Sequence, residues 1–140
     1  MIKSGIPLFN SVSEGRMNLL IVDDSDFIRE RLVAIFEDSE KIGVVYQARN
    51  SYEAIEQFNA FSPEMVLLDI RIPGDNGIKV LEKFKKLRPE TWIIMLTNYP
   101  YEQYRKRCLE LGADYFFEKS EDMNEIFNLC ENLSVNHISS

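Results

Sequence analysis

Four carboxylates, a hydroxyl and an ammonium stand at the ends of short apolar runs, three of the carboxylates at the first and third runs. Asp23 and Asp24 follow the run 19–22, Asp69 follows 65–68, Thr97 follows 92–96, and Glu118 and Lys119 follow 115–117. If those runs are strands of one parallel sheet, with the first and third as central neighbours, these groups share the edge where such sheets bind ligands. Three acids in one small volume repel, and one is driven towards protonation unless a cation sits among them. The fitting cation is hard, takes oxygen ligands and keeps some of its waters, so magnesium suits the set better than calcium. The hydroxyl and the ammonium suit a phosphoryl group beside that metal. A carboxylate can also be the nucleophile and become an aspartyl phosphate. Such a transfer asks mainly for positioning and charge neutralisation. Nothing in the sequence suggests a bulky substrate pocket, so the phosphoryl donor is expected to come from outside and dock.

The elements that must position these groups follow from hydrophobic periodicity. Five apolar runs recur: 19–22, 44–46, 65–68, 92–96 and 115–117. Most are continuous rather than alternating, as strands buried on both faces are. Between them, 25–38, 51–60, 77–87, 100–111 and 122–133 carry apolar residues at helical spacing, for example Val80, Leu81, Phe84 and Leu87. Ser25 and Ser51 suit helix caps, Pro100 suits a first helical position, and Gly112 suits a left-handed helix end. Strict alternation predicts an α/β fold, (βα)5, with a parallel sheet and helices on both faces. Residues 1–17 read as an N-terminal extension, 18–133 as the domain, and 134–140 as a polar tail that includes the lone His137.

Composition removes several classes. The chain has 140 residues, enough for one core without staples, and is expected to hold no second domain. It carries 16 Lys and Arg against 23 Asp and Glu, a net charge of −7 that disfavours nucleic acid as a partner. The longest apolar run has far fewer residues than a membrane span needs, and no secretory signal is visible at the start. Two cysteines outside any CxxC and a single histidine exclude a Cys/His zinc site. A reducing cytoplasmic setting is expected.

Five pieces of sequence, in order, give the chain its resemblance to the receiver domain of two-component response regulators, the CheY-like family. They are Leu19–Ser25, Met65–Gly74, Asn76-Gly77, Met95-Leu96-Thr97 and Leu111–Lys119. The resemblance implies a flavodoxin-like sheet of order 2-1-3-4-5. It implies that Asp69 is the phosphoacceptor and that Mg2+ is held by Asp23, Asp24, Asp69 and the backbone carbonyl of Arg71. Thr97 and Lys119 then grip the phosphoryl group from either side. Phe116 takes the place of an aromatic that turns inward when Thr97 moves, switching a protein-binding surface on the fourth helix, fifth strand and fifth helix. The implied partners are a sensor histidine kinase or phosphotransfer protein and an unidentified downstream protein. On this reading the chain is a signalling switch rather than an enzyme.

Two departures stand out. Ser120 replaces the proline that usually follows the lysine, so either a trans bond with a shifted loop or a strained cis bond is expected. Asn98 and Tyr99 are bulkier than usual beside Thr97 and are expected to restrict access to Asp69. Two rival readings remain: a receiver-like protein-binding module that works without phosphate, and an aspartyl-phosphate phosphatase. The second is disfavoured because Arg71 stands where a second acid is needed two residues after the nucleophile.

Overall fold

The computed structural model describes residues 16–119 and 123–139, with side chains described as far as residue 134. The elements alternate strictly: β1 (Met17–Val22), α1 (Asp26–Phe36), β2 (Ile42–Ala48), α2 (Ser51–Phe61), β3 (Met65–Asp69), α3 (Gly77–Leu87), β4 (Trp92–Thr97), α4 (Glu102–Glu110), β5 (Tyr115–Glu118) and α5 (Met123–Ser139). All strand pairs are parallel, and the sheet order is β2-β1-β3-β4-β5. This is the flavodoxin-like order, with its switch point between β1 and β3.

The central strands are apolar throughout because both faces are covered. Leu20, Val22, Val66, Leu68, Ile93 and Met95 face one layer with Ala54, Phe58, Val80, Leu81, Phe84 and Cys108. Leu19, Ile21, Leu67, Ile94 and Leu96 face the other layer with Leu32, Phe36, Ile126, Cys130 and Leu133. The period-2 alternation of a strand thus assigns successive residues to opposite helical layers. At the sheet edge, β2 is only half-buried along Gly43–Tyr46, so its apolar run is not evidence of two covered faces there.

Several local expectations need correction. Met17 is not part of an extension; it opens β1, is buried, and pairs with Ile42. Residues 1–15 lie outside the described residues. Asn50, not Ser51, caps α2, its side chain accepting from Glu53 N at 2.8 Å. Pro100 precedes α4, whose cap is Tyr101 with no side-chain cap bond. Leu87 belongs to α3 but is half-exposed. The fifth helix runs through Ser139 rather than stopping before a tail at 134, and Ser134 is buried with its hydroxyl donating to Cys130 O at 3.0 Å. Ser25 and Gly112 do as expected: Ser25 Oγ accepts from Ile28 N at 3.2 Å, and Gly112 has φ +104°.

Candidate functional site

The edge that carries the site is set by strand register. Val22 of β1 pairs with Leu68 of β3, and Asp69 pairs with Leu96 of β4. Asp23 and Asp69 therefore emerge side by side at the carboxyl ends of the two central strands.

Asp23 is held on all sides. Its N–H donates to Ala48 O at 3.0 Å, and its Oδ1 accepts from Ser25 N at 2.9 Å. Its carbonyl accepts from Arg29 Nη1 at 2.6 Å. Arg29 is itself buried, donates to Gln47 Oε1 at 3.1 Å, and pairs with Asp26. This buried cation fixes the turn after β1, and the sequence reading missed it. An arginine one helical turn beyond an acidic strand end, on the side of the helix facing the sheet, was the available signal. Asp24 is exposed at the rim.

Asp69 accepts from Arg71 N at 3.3 Å through Oδ1 and from Lys119 Nζ at 2.9 Å through Oδ2. Its backbone is crowded by α3. A Cβ on Gly77 would lie 2.0 Å from Asp69 O, so only glycine permits this approach. Gly77 N also donates to Ile70 O at 2.6 Å. Asn76 caps α3 through bonds from Ile78 N at 2.9 Å and Lys79 N at 3.1 Å, which locks the start of that helix against the site.

Lys119 bridges the two buried acids. Its ammonium lies 2.6 Å from Asp23 Oδ2 and 2.9 Å from Asp69 Oδ2, with the side chain 10% exposed. Its N–H donates to Thr97 O at 2.8 Å, which continues the β4–β5 ladder and aims the side chain. Burial pushes the Asp69 carboxyl above the usual carboxylate range and the Asp23 charge adds to this, against the lowering effect of Lys119 and of the Arg71 N–H. Burial alone would lower Lys119; its bonds to Asp23 and Asp69 outweigh that and hold the ammonium above the usual lysine range.

Carboxylate oxygens of Asp23, Asp24 and Asp69 lie within 4.8 Å of one another. An all-oxygen set of three acids, one of them exposed at the mouth, fits a hard divalent cation that keeps some of its waters. The depression has a volume of about 300 Å³, and its rim includes Ser25, Arg71, Asn98 and Tyr99.

The remaining expected residues fall as follows. Thr97 is fully buried, does not line the depression, and accepts from Tyr99 N at 2.9 Å through Oγ1. Phe116 is already turned inward at 6% exposure, in the layer with Cys108 and Ala113. The Arg105 guanidinium lies 5.0 Å from its ring centroid, and Arg105 Nη2 donates to Phe116 O at 3.4 Å. Arg71 offers more than its backbone. Its guanidinium stacks 3.9 Å from the Tyr99 ring centroid and lines one depression with Tyr104. Ser120 lies outside the described residues, so the Lys119–Ser120 bond does too. No helix among the described residues is long and apolar enough to cross a membrane.

The family profile of the response regulator receiver domain matches residues 19–131. The chain is 34% identical over 101 residues to the chemotaxis protein CheY of Halobacterium salinarum, covering 72% of this chain and 82% of that protein. It is 31% identical over 110 residues to the transcriptional regulatory protein LnrK of Bacillus subtilis, covering 79% of this chain and 50% of that protein. The chain thus spans about half the length of several curated relatives it matches. Among solved structures, the CheX–CheY–BeF3–Mg2+ complex of Borrelia burgdorferi contains a chain that superposes with a TM-score of 0.76 at 30% identity, covering 84% of this chain and 88% of that one. With the acid pocket, the sheet order and these likenesses together, the chain belongs to the response regulator receiver domain family, the CheY-like signalling switches of two-component systems.

Proposed function

We propose that this receiver accepts a phosphoryl group on Asp69 from the phosphohistidine of a sensor kinase or phosphotransfer protein. Asp23, Asp24, Asp69 and the main-chain carbonyl of Arg71 are the groups that would hold Mg2+. The bound ion would neutralise the acids and the incoming phosphoryl charge. A carboxylate oxygen of Asp69 attacks phosphorus as the phosphorus–nitrogen bond breaks. The electron pair stays on the imidazole nitrogen, which takes up a proton. Lys119 then leaves its acid pairing to hold a phosphoryl oxygen, and the Thr97 hydroxyl donates from the other side. Attack of water on the same phosphorus breaks its bond to the Asp69 oxygen, returning the free carboxylate and releasing inorganic phosphate.

One observation carries this reading: a single ammonium spans Asp23 and Asp69 at 2.6 and 2.9 Å in a depression open to solvent. A purely structural ion pair needs neither the third acid at the rim nor the opening. The neighbour from Borrelia, in complex with BeF3, Mg2+ and CheX, supports both the metal and a protein as a binding partner. The surface proposed to change is that of α4, β5 and α5, with Thr97 as the residue that moves and Phe116, whose ring already lies inward, as its switch partner. Both described cysteines are free, in keeping with a cytoplasmic setting.

Magnesium titration by calorimetry tests the pocket. Saturable binding, weakened at least about tenfold in Asp23→Asn, is the expected result. A wild-type chain that takes up no magnesium at millimolar concentration overturns the proposal.

A further inference from the structure

Phosphorylation at Asp69 must be read at a surface some distance away, and the Phe116 ring is already inside the core before any such event. A second connection runs from the site to α4. It starts at the Arg71 N–H, which donates to Asp69 Oδ1 at 3.3 Å. The side chain of the same residue leaves the β3–α3 loop and stacks on Tyr99 at 3.9 Å from the ring centroid. It also lines one depression with Tyr104, on the first turn of α4. Tyr99 is tied back to the site, since its N–H donates to Thr97 Oγ1 at 2.9 Å. The rings continue outward: Tyr101 lies 6.2 Å from Tyr99 and 5.5 Å from Tyr104, and Tyr101 is half-exposed. The depression that Arg71 and Tyr104 line has a volume of about 460 Å³ and is shared with Asp24, Ile70, Ile72, Pro73, Asn76 and Ile78, so this bridge borders open space rather than packed core.

We propose that Arg71 is a coupling residue: its backbone reports on Asp69, its guanidinium holds Tyr99, whose ring leads through Tyr101 to Tyr104, and a change at either end is passed to the other through this one side chain. A guanidinium fits the task, because it stacks flat on an aromatic face and keeps its charge while doing so. The connection has two discrete arrangements. With Asp69 unmodified, Arg71 rests on Tyr99. Added negative charge at Asp69 draws the cation away and frees the rings. By linkage, a partner that occupies Tyr101 and Tyr104 displaces Arg71 and changes the properties of Asp69 by the same factor. The coupling of surface to phosphorylation rests on the phosphoacceptor reading above; the bridge itself does not.

The test is a double-mutant cycle on the isotope-labelled full chain, with Tyr99→Leu, Arg71→Ala and the double variant. Tyr99→Leu removes the ring and keeps the backbone N–H that binds Thr97, so folding should survive, and its melting temperature is checked against wild type. The first readout needs no metal: the backbone amide signals of Asp69 and Ile70. They should move in Tyr99→Leu and stay still when the same change is made on Arg71→Ala. The second readout is magnesium affinity, expected to change about twofold to fivefold in Tyr99→Leu and to be unaffected by that substitution in the Arg71→Ala background. Amide signals that ignore Tyr99→Leu, or that respond equally with and without Arg71, overturn the proposal. A wild-type chain that shows the amide coupling yet binds no magnesium would leave the bridge standing and overturn the phosphoacceptor reading instead.

Discussion

Lys119 reaches across fifty positions of sequence to place its ammonium 2.9 Å from Oδ2 of Asp69. The same nitrogen lies 2.6 Å from Asp23. A monovalent cation therefore partly compensates a pocket built from three acids, and the compensation is incomplete. The Asp69 carboxyl remains above its usual range, chiefly because it is buried. That residual imbalance is what a divalent cation would relieve, and it sets the sign of the first two predictions.

Asp69→Asn should raise stability. A carboxyl whose folded-state pKa lies above its unfolded value favours folding when protonated, and that contribution is lost as pH rises through the folded value. At pH 7 the buried charge of Asp69 therefore costs stability, and the amide removes the charge while Asp23 still pairs with Lys119. The expected gain at pH 7 is on the order of 1 kcal/mol. It should vanish below the usual carboxylate range, where wild-type Asp69 is itself protonated. Thermal melts of both proteins at pH 7 and pH 3 check the sign. A loss of stability at pH 7 would mean that the contact with Lys119 outweighs burial.

Lys119→Met should do the opposite. It leaves Asp23 and Asp69 buried, alike in charge and without their cation. Breaking such a pair by removing one partner typically costs about 3–5 kcal/mol. Magnesium should recover more stability in this variant than in wild type, because it would replace the lost counter-charge between Asp23 and Asp69. Melting temperatures with and without the ion measure the difference.

Gly77→Ala should disturb the site through the backbone. The new Cβ would meet Asp69 O at 2.0 Å, and a carbonyl in a strand cannot swing aside as a side chain can. A loss of at least about 2 kcal/mol is expected, together with weaker magnesium binding. Gly112→Ala is the control. It is strained by φ +104° but lies beside Lys85, away from the acids, so it should lower the melting temperature and leave magnesium affinity alone.

Both thiols should be inert in the folded protein. Burial pushes Cys108 up to about 11, and burial with the nearby Glu131 pushes Cys130 up to about 12. Alkylation at pH 8 should therefore follow the rate of opening, with reagent reaching the thiols only as the chain unfolds. Fast labelling of either cysteine under native conditions would contradict their burial.

The central strands were legible because burial on both faces leaves an uninterrupted apolar run, and Asp23, Asp24, Asp69 and Lys119 were legible because they close such runs. Contacts made across the sequence were not. Ser51 looks like a cap, but its hydroxyl accepts from Asp75 N at 2.8 Å, twenty-four positions on, while Asn50 caps the helix. Leu87 fits a helical stripe by spacing, yet it stands at the last turn of α3, beyond the cover of its neighbours. Ser134 reads as polar tail because its hydroxyl is satisfied locally by the Cys130 carbonyl, which lets it enter the core. Arg29 and the guanidinium of Arg71 were missed because no periodicity in the sequence marks their contacts: buried Arg29 supports the Asp23 turn, and exposed Arg71 stacks on Tyr99.

The central claim is that Asp69 takes up a phosphoryl group with the help of a divalent ion. Intact mass of the full chain, after incubation with a small acyl phosphate or phosphoramidate and with a phosphohistidine protein as donor, tests it most directly. The account predicts a gain of one phosphoryl group that needs magnesium, is reversed by mild base, and is absent in Asp69→Asn. A chain that binds magnesium and gains nothing from any of these donors, or that gains the group equally in Asp69→Asn, would contradict it.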